Sequence, residues 1–196
     1  MISLKHIQKK FGFHVVFNDF SLSLPDRGLF LLVGDNGCGK STLLYLLAGL
    51  DDQYKGEYLL NGKDMKSFTE NQIDNIRRKD IGLLFSHGNL FSFMNVEENR
   101  KFDLPTNNIR FVDLEESQSV NCLSGGEELL LSLSNELGKR KKIYLFDEVT
   151  SALDQGNLIK VMDILKKQSQ ESLIVMATHD KRIMNEAHQI KIEANN

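Results

Sequence analysis

One stretch of sequence decides the fold of this chain: Phe30-Leu31-Leu32-Val33-Gly34-Asp35-Asn36-Gly37-Cys38-Gly39-Lys40-Ser41-Thr42. An apolar run comes first, a glycine-rich loop follows, and apolar residues at helical spacing continue to Leu50, so the order strand, loop, helix is predicted. Two further apolar runs predict buried strands at 143–146 and at 173–177. Short buried strands that alternate with helices are typical of a parallel sheet with both faces covered, which binds ligands beyond the carboxyl ends of its strands.

The rest of the chain predicts two additions to this α/β core. Residues 1–30 and 55–65 alternate in polarity like antiparallel strands, and Asn61-Gly62 is a turn signal, so a small β-subdomain is expected there. The polar, weakly periodic segment 87–123 predicts a short helical insertion with loops. Neither internal repeats nor a low-complexity linker is visible, so we expect residues 1–196 to form a single domain.

Composition excludes several classes of protein. The chain has 41% hydrophobic and 26% charged residues and a formal net charge of −3, so we expect an ordinary globular protein without a nucleic-acid partner. No apolar run approaches the ~20 residues of a membrane-spanning helix, and the start lacks the apolar stretch of a secretion signal, which predicts a cytosolic location. Cys38 and Cys122 have no ligand cluster nearby in sequence, so neither a zinc site nor a disulfide framework is expected.

The glycine-rich loop predicts a phosphate site. Gly34-x-x-x-x-Gly39-Lys40-Ser41 matches the phosphate-loop pattern between a predicted strand and a predicted helix, the context that the pattern requires. Backbone N–H groups would cradle phosphates, Lys40 would reach the β- and γ-phosphates, and Ser41 would bind Mg²⁺. The predicted nucleotide-binding residues of this loop are Gly34, Asp35, Asn36, Gly37, Cys38, Gly39, Lys40, Ser41 and Thr42. A glycine-rich turn that merely starts a helix is the alternative, and the pattern alone does not separate a kinase, a GTPase and a transporter ATPase.

Polar residues that end the two other core strands complete a candidate catalytic centre. Asp147 and Glu148 close the run 143–146, where Asp147 is expected to bind Mg²⁺ and Glu148 to polarise the attacking water. A solvated acidic turn is the alternative, which the phosphate loop makes less favoured. His179 follows the run 173–177, and its position raises the expectation that it contacts the γ-phosphate, although a lone histidine is more often a boundary residue.

The segment Leu123-Ser124-Gly125-Gly126-Glu127 closely resembles the signature motif of ATP-binding-cassette proteins. In that family, the signature of one subunit covers the ATP held by the phosphate loop of the other, so the resemblance implies a head-to-tail dimer with two Mg·ATP. By the same resemblance, Phe11 stacks on adenine and His179 is the switch histidine. The loop 151–154, with Asp154 at its end, crosses the dimer interface. A simple helix cap at Ser124 is the alternative reading of the segment.

The chain departs from the family pattern in several places. Ser86 stands where the family has a glutamine that touches Mg²⁺ and links the site to the membrane partner, so our hypothesis is that it weakens this link. Comparing ATPase rates and partner stimulation for Ser86→Gln tests the hypothesis. The stretch from Ser86 to Ser124 is shorter than usual, which implies a shortened helical subdomain. Val149 replaces the usual proline, and residues 128–131 replace the usual polar residues and arginine.

The resemblance implies the motor subunit of a transporter. It would dimerise on ATP, as a homodimer or a heterodimer, and would power a membrane-spanning partner on a separate chain at the inner face of the cell membrane. Residues 61–64 and 77–82 look most like ATPases of lipoprotein, macrolide and antimicrobial-peptide systems, which favours an exporter. The alternatives are a cassette ATPase without a transporter, and a clamp that binds ATP but scarcely hydrolyses it.

Overall fold

A computed structural model describes residues 1–85, 89–102 and 109–193. Two sheets organise these residues. The strands are β1 Ile2–Phe11, β2 His14–Leu24, β3 Gly28–Val33, β4 Lys55–Leu60, β5 Lys63–Asp64, β6 Ile81–Leu84, β7 Ile143–Asp147, β8 Leu173–Ala177 and β9 His188–Lys191. The α-helices are α1 Lys40–Leu47, α2 Glu70–Asp80, α3 Val96–Phe102, α4 Gly125–Leu137 and α5 Gln155–Gln168. Short 3₁₀ turns cover Met65–Ser67, Val120–Cys122 and Lys181–Ile183.

The core sheet has five strands in the order β6-β7-β8-β3-β9, and each neighbouring pair is parallel. The predicted parallel sheet is therefore confirmed, and its three predicted strands are β3, β7 and β8. Helix α1 begins as predicted but ends at Leu47, earlier than the expected Leu50. The reason is Gly49, whose φ of 64° lies in the left-handed region and stops the helix.

The β-subdomain is a four-stranded antiparallel sheet in the order β2-β1-β4-β5. Its last hairpin turns at Asn61-Gly62, as the sequence predicts, because Leu60 pairs with Lys63. Irregular register between Leu4 and Lys10 bends β1 against β2, which the alternation of the sequence does not reveal. Helix α3 lies within the segment 87–123, where the sequence predicts a helical insertion.

The core sheet separates two apolar layers. On one face, α1 and the antiparallel sheet pack against residues such as Leu145 and Val175. On the other face, α4 and α5 pack against the strand residues that alternate with these, which include Phe146 and Ile174. Because alternate residues of each strand are buried on opposite faces, the central strands are apolar throughout. This double cover leaves the ends of the strands as the exposed edges of the core.

None of the helices in the described ranges is both long and apolar enough to cross a membrane.

Candidate active site

Three of the predicted site segments meet at one edge of the core sheet. Because β3, β7 and β8 are parallel, their carboxyl ends lie side by side, and they lead into the phosphate loop, into Glu148 and into His179 respectively. Backbone hydrogen bonds fix this edge: Glu148 N–H donates to the Ala177 carbonyl at 2.9 Å, and Thr178 N–H donates to the Leu32 carbonyl at 3.2 Å. Residues far apart in sequence are thus brought together by sheet register alone.

The phosphate loop is closed tightly around its lysine. Gly39 caps α1 at a φ of 104°, and a Cβ at this position would lie 2.6 Å from Cγ1 of Val16, so only glycine fits. Lys40 is only 7% exposed, and its Nζ donates to the Gly34 and Asp35 carbonyls at 2.8 Å and 2.9 Å. Its ammonium is therefore held inside the curve of the loop.

The rest of the loop contains exposed residues and one carboxylate, that of Asp35. Asp35, Asn36 and Gly37 are exposed, whereas Cys38 is buried with its Sγ 4.0 Å from Lys40 Nζ. The first turn of α1 contains no acidic residue, so the positive end of the helix is not neutralised there. A nearly buried ammonium, a helix start and exposed loop amides are the features that bind a phosphate chain.

Two half-buried residues follow the lysine in the first turn of α1, Ser41 and Thr42. Asp147, the last residue of β7, is also half-buried, and it pairs with Ala177 in the register of β8. Ser86, the third predicted metal ligand, lies outside the residues that the structure describes. In the described part of the chain, no three or more histidine, cysteine, aspartate or glutamate side chains are placed so that together they could hold a metal ion. A site with one carboxylate suits Mg²⁺, which takes its other ligands from phosphate and water.

Glu148 and His179 contact each other at this edge. The Nδ1 atom of His179 lies 2.9 Å from Oε2 of Glu148, and the histidine side chain is largely exposed. Glu148 Oε2 is itself buried, and no aligned hydrogen bond from residues 1–85, 89–102 or 109–193 reaches it. A buried acceptor of this kind fits a polarised water molecule, which the sequence predicts for Glu148.

The backbone of Glu148 is strained. Its φ is 57°, in the left-handed region that a residue with a Cβ rarely adopts. The carbonyl of the same residue accepts a hydrogen bond from Ser151 Oγ at 3.0 Å. Backbone strain of this kind persists where the surrounding structure enforces it, and such residues cluster at functional sites.

The signature segment forms the exposed start of α4. Ser124 caps the helix in a reciprocal arrangement: its Oγ accepts from Glu127 N–H, and Oε2 of Glu127 accepts from Ser124 N–H at 2.8 Å and from Ser124 Oγ at 2.7 Å. The hydrogen bonds from Ser124 lower the pKa of the Glu127 carboxyl. Leu123 is half-buried, and Gly125 is open to solvent. The helix cap and the signature are therefore the same structure, so the two readings of the segment do not exclude each other.

The loop 151–154 lies against this helix start. A Cβ at Gly126 would be 3.3 Å from the Ala152 carbonyl oxygen, so the absence of a side chain permits a close approach. Asp154 ends the loop and caps α5, where its Oδ1 accepts from Asn157 N–H and its Oδ2 from Asn157 Nδ2, both at 2.8 Å. These hydrogen bonds lower the pKa of Asp154. In this single chain Asp154 therefore acts as a helix cap.

A buried lysine that the sequence analysis did not single out contacts the predicted adenine-stacking residue. Lys9 Nζ lies 4.6 Å from the ring centroid of Phe11, donates to Asp51 Oδ1 at 2.6 Å, and donates to the Gln53 carbonyl at 2.9 Å. Phe11 itself is 54% exposed at the end of β1. The cation thus lies against one side of the ring while much of the ring faces solvent. A lysine in a strand of alternating polarity is normally predicted to face solvent, so the sequence does not reveal that Lys9 is buried.

Comparison with known proteins decides the family. The family model described as "ABC transporter" matches residues 17–151, which is most of the chain. The chain belongs to this family. It is an ATP-binding cassette, and the phosphate loop and the signature both lie inside the matched range.

Named relatives of the cassette include exporters and importers. The macrolide export ATP-binding/permease protein MacB of Campylobacter jejuni is 30% identical over 97% of this chain. The methionine import ATP-binding protein MetN 2 of Enterococcus faecalis is 32% identical over 94% of this chain. The cassette spans 32% of the length of the first relative and 59% of the second. The ATP-driven transporter class is therefore common to them, whereas their direction of transport differs.

A solved structure confirms the fold of the cassette. The dimeric structure of MJ0796, described as a bacterial ABC transporter cassette, superposes with a TM-score of 0.84 at 25% sequence identity. The superposition covers 98% of this chain and 94% of the other. The parallel sheet with an added antiparallel β-subdomain is thus the fold of the family.

Proposed function

We propose that this cassette is the ATP-hydrolysing subunit of an exporter, and that two copies close over two Mg·ATP to drive a membrane-spanning partner on a separate chain. The observation that carries the proposal is the meeting of the phosphate loop, Glu148 and His179 at one sheet edge. The exposed signature helix and the dimeric MJ0796 structure support the closed pair. Because the relatives include an exporter and importers, the export direction rests on the resemblance of residues 61–64 and 77–82 to exporter ATPases.

Each residue at the edge has a defined task in this proposal. Lys40 binds the β- and γ-phosphates, while Ser41 and Asp147 hold Mg²⁺. Bound Mg²⁺ supplies positive charge against the negative charge that develops on the phosphates. Glu148 orients and deprotonates the attacking water, and His179 contacts the γ-phosphate from the end of β8. Because these groups are fixed before the reaction, they stabilise charge without reorganising.

Closure of the pair depends on a second contact with the same nucleotide. The start of α4 offers N–H groups and the Ser124 hydroxyl to the γ-phosphate held by the other copy. Only a triphosphate touches both surfaces, so hydrolysis removes the interaction that favours the closed state. The energy that reaches the partner is the difference between the closed and open states. The proposed site of action is the cytoplasmic face of the membrane.

An apolar patch in the helical insertion supports a protein partner for this cassette. Phe91 packs against Phe93 and Phe102, with ring centroids 5.7 Å and 4.4 Å apart, and Phe93 is 79% exposed. Clustered exposed aromatic side chains mark protein interaction surfaces, because a partner that covers them removes their apolar area from water. We propose that the membrane-spanning partner covers this patch.

The variant Glu148→Gln tests the hydrolytic role and the closed pair together. It keeps the shape of the side chain but removes the base, so we expect phosphate release to fall at least about a hundredfold, the lower range for general-base catalysis. With Mg·ATP the variant should run as a stable dimer in size-exclusion chromatography, while the wild type should not accumulate one.

The matched control is Glu171→Gln, an exposed glutamate just before β8 at the opposite edge of the sheet. It should hydrolyse ATP like the wild type and should not form a trapped dimer. Equal and near-zero phosphate release by wild type and Glu148→Gln would contradict the proposal and would favour an ATP-dependent clamp. A Glu148→Gln variant that stays monomeric with Mg·ATP would contradict the closed pair.

A further inference from the structure

Arg182 joins two loops of the active site that are distant in sequence. It lies in the 3₁₀ turn just after His179, and its Nε and Nη2 donate to Oδ1 and Oδ2 of Asp180 at 2.9 Å and 2.7 Å. The same guanidinium also reaches the loop 151–154, which we call the interface loop, and the residue before it. Its Nη1 donates to the Leu153 carbonyl at 2.9 Å, and its Nη2 donates to the Thr150 carbonyl at 3.1 Å. One side chain thus makes four hydrogen bonds to two loops.

The two carbonyls bracket the part of the interface loop that projects from the chain. Ser151 and Ala152 lie between them, and both are exposed. Two local bonds also hold this loop, since Leu153 N–H donates to the Thr150 carbonyl at 3.1 Å and Ser151 Oγ donates to the Glu148 carbonyl. Arg182 adds a connection from this loop to the segment that carries His179, beside the contact of His179 with Glu148.

On the other side, the interface loop touches the signature helix. The Ala152 carbonyl oxygen lies within 3.3 Å of where a Cβ at Gly126 would be. A displacement of the loop therefore meets the start of α4 directly. The chain of contacts runs from Asp180, which follows His179 in sequence, through Arg182 and the loop to the signature.

We propose that Arg182 is a positioning residue that keeps His179, the loop 151–154 and the signature helix in one arrangement, so that hydrolysis in one copy is coupled to closure on the other. This inference rests on the proposed function. The geometry requires arginine, because a planar fork with five N–H donors can serve a carboxylate and two carbonyls at once, whereas a lysine ammonium cannot span them.

The Arg182 fork contributes to stability as well as to position. The Arg182 side chain is 36% exposed, but the Asp180 carboxylate is only 7% exposed, so Arg182→Ala should lower the free energy of unfolding by leaving a nearly buried carboxylate without this partner. Loss of the fork should also let the interface loop move relative to His179. Nucleotide binding by the phosphate loop of the same copy does not involve these contacts.

The test uses Arg182→Ala and Arg182→Lys, each made in the wild type and in the Glu148→Gln background. In the wild type, both variants should lower kcat about tenfold, the loss for ~1.4 kcal/mol of transition-state stabilisation. The affinity of the single chain for a fluorescent ATP analogue should stay within about twofold, because Lys40 and its loop are unchanged. In the Glu148→Gln background, dimerisation with Mg·ATP should need about tenfold more protein.

Lys181→Ala is the matched control, because Lys181 is a neighbouring exposed cation in the same turn. It should leave kcat and dimerisation unchanged. Wild-type kcat and closure in Arg182→Ala would overturn the inference, as would full rescue by lysine, which would show that charge alone matters. Equal losses of ATP affinity and kcat with a lower Tm would assign Arg182 a purely structural role.

The outcome remains decisive if alanine prevents folding, since Arg182→Lys retains the charge and the stem and its fold can be checked by circular dichroism. Failure of the inference is also distinct from failure of the proposed function. If Glu148→Gln alone does not dimerise with Mg·ATP, the closed pair is wrong. If it dimerises and the Arg182 variants match it, only the positioning role is wrong.

Discussion

At the scale of the residue, Glu148 combines the features that catalysis needs with features that folding does not favour. Its carboxylate oxygen is buried without an aligned donor among the described residues, and its backbone lies at a φ of 57°. Both features raise the free energy of the folded state. Glu148 follows β7 at the sheet edge where the phosphate loop begins. The proposed catalytic base is thus a site where function opposes stability.

Replacing Glu148 by glycine should therefore stabilise the fold while it abolishes turnover. Glycine adopts a positive φ without steric penalty, so we expect the free energy of unfolding to rise by about 1 kcal/mol. For a chain of this size that corresponds to a Tm roughly 2–4 °C higher. Thermal unfolding followed by circular dichroism measures the shift.

Two neighbouring variants control this experiment. Asp147→Gly changes an adjacent acidic residue that ends a regular strand, so it should lower the Tm. Glu148→Gln keeps the Cβ and the strain, so its Tm should match that of the wild type. A Tm for Glu148→Gly below that of Glu148→Gln would show that the positive φ is not a source of instability.

At the scale of the element, sequence predicted the segments well and their connections poorly. The apolar runs that became β3, β7 and β8 were identifiable, because buried parallel strands are continuously apolar. The Arg182 bonds to Thr150 and Leu153 were not, because a contact between an arginine and backbone carbonyls about thirty residues away leaves no pattern in sequence. The burial of Lys9 was hidden for the same reason, since its partner Asp51 lies about forty residues away in the loop between α1 and β4. The sequence thus allowed motif residues to be proposed for the site, while the contacts that position them left no pattern.

Two helices with the same cap allow the signature helix to be tested. Ser124 with Glu127 caps α4, and Thr69 with Gln72 caps α2 in the same reciprocal geometry. Loss of an N-cap hydroxyl costs about 1 kcal/mol, so Ser124→Ala and Thr69→Ala should lower the stability to a similar degree. Only Ser124 is proposed to touch the nucleotide of another copy. In the Glu148→Gln background, Ser124→Ala should therefore weaken dimerisation with Mg·ATP, whereas Thr69→Ala should not.

Equilibrium unfolding in urea and analytical ultracentrifugation measure the two effects separately. If both alanine variants weaken dimerisation equally, the effect of Ser124→Ala comes from helix stability. If neither weakens it, the signature hydroxyl has no part in closure.

At the scale of the whole molecule, the core sheet is covered on both faces, and its ligand edge is left open. An ATP-binding cassette built in this way gains stability from whatever binds the edge of the folded state and not the unfolded chain. A nucleotide held by one copy should raise the Tm by an amount that does not depend on protein concentration. A nucleotide shared by two copies should add a dependence on protein concentration, since dimerisation is then linked to folding.

The thermal stability of Glu148→Gln should therefore depend on protein concentration with Mg·ATP and not with Mg·ADP. At a nucleotide concentration of about 100 times Kd, mass action alone adds ~2.7 kcal/mol, so both nucleotides should raise the Tm. Only the triphosphate reaches the signature of a second copy. The Tm of Glu148→Gln should therefore rise further on a tenfold increase in protein concentration with Mg·ATP but not with Mg·ADP. Lys40→Ala in the same background removes the ammonium that the loop carbonyls hold, and it should lose both effects. Differential scanning calorimetry at two protein concentrations measures this, and an equal concentration dependence with both nucleotides would mean that the γ-phosphate does not join the copies.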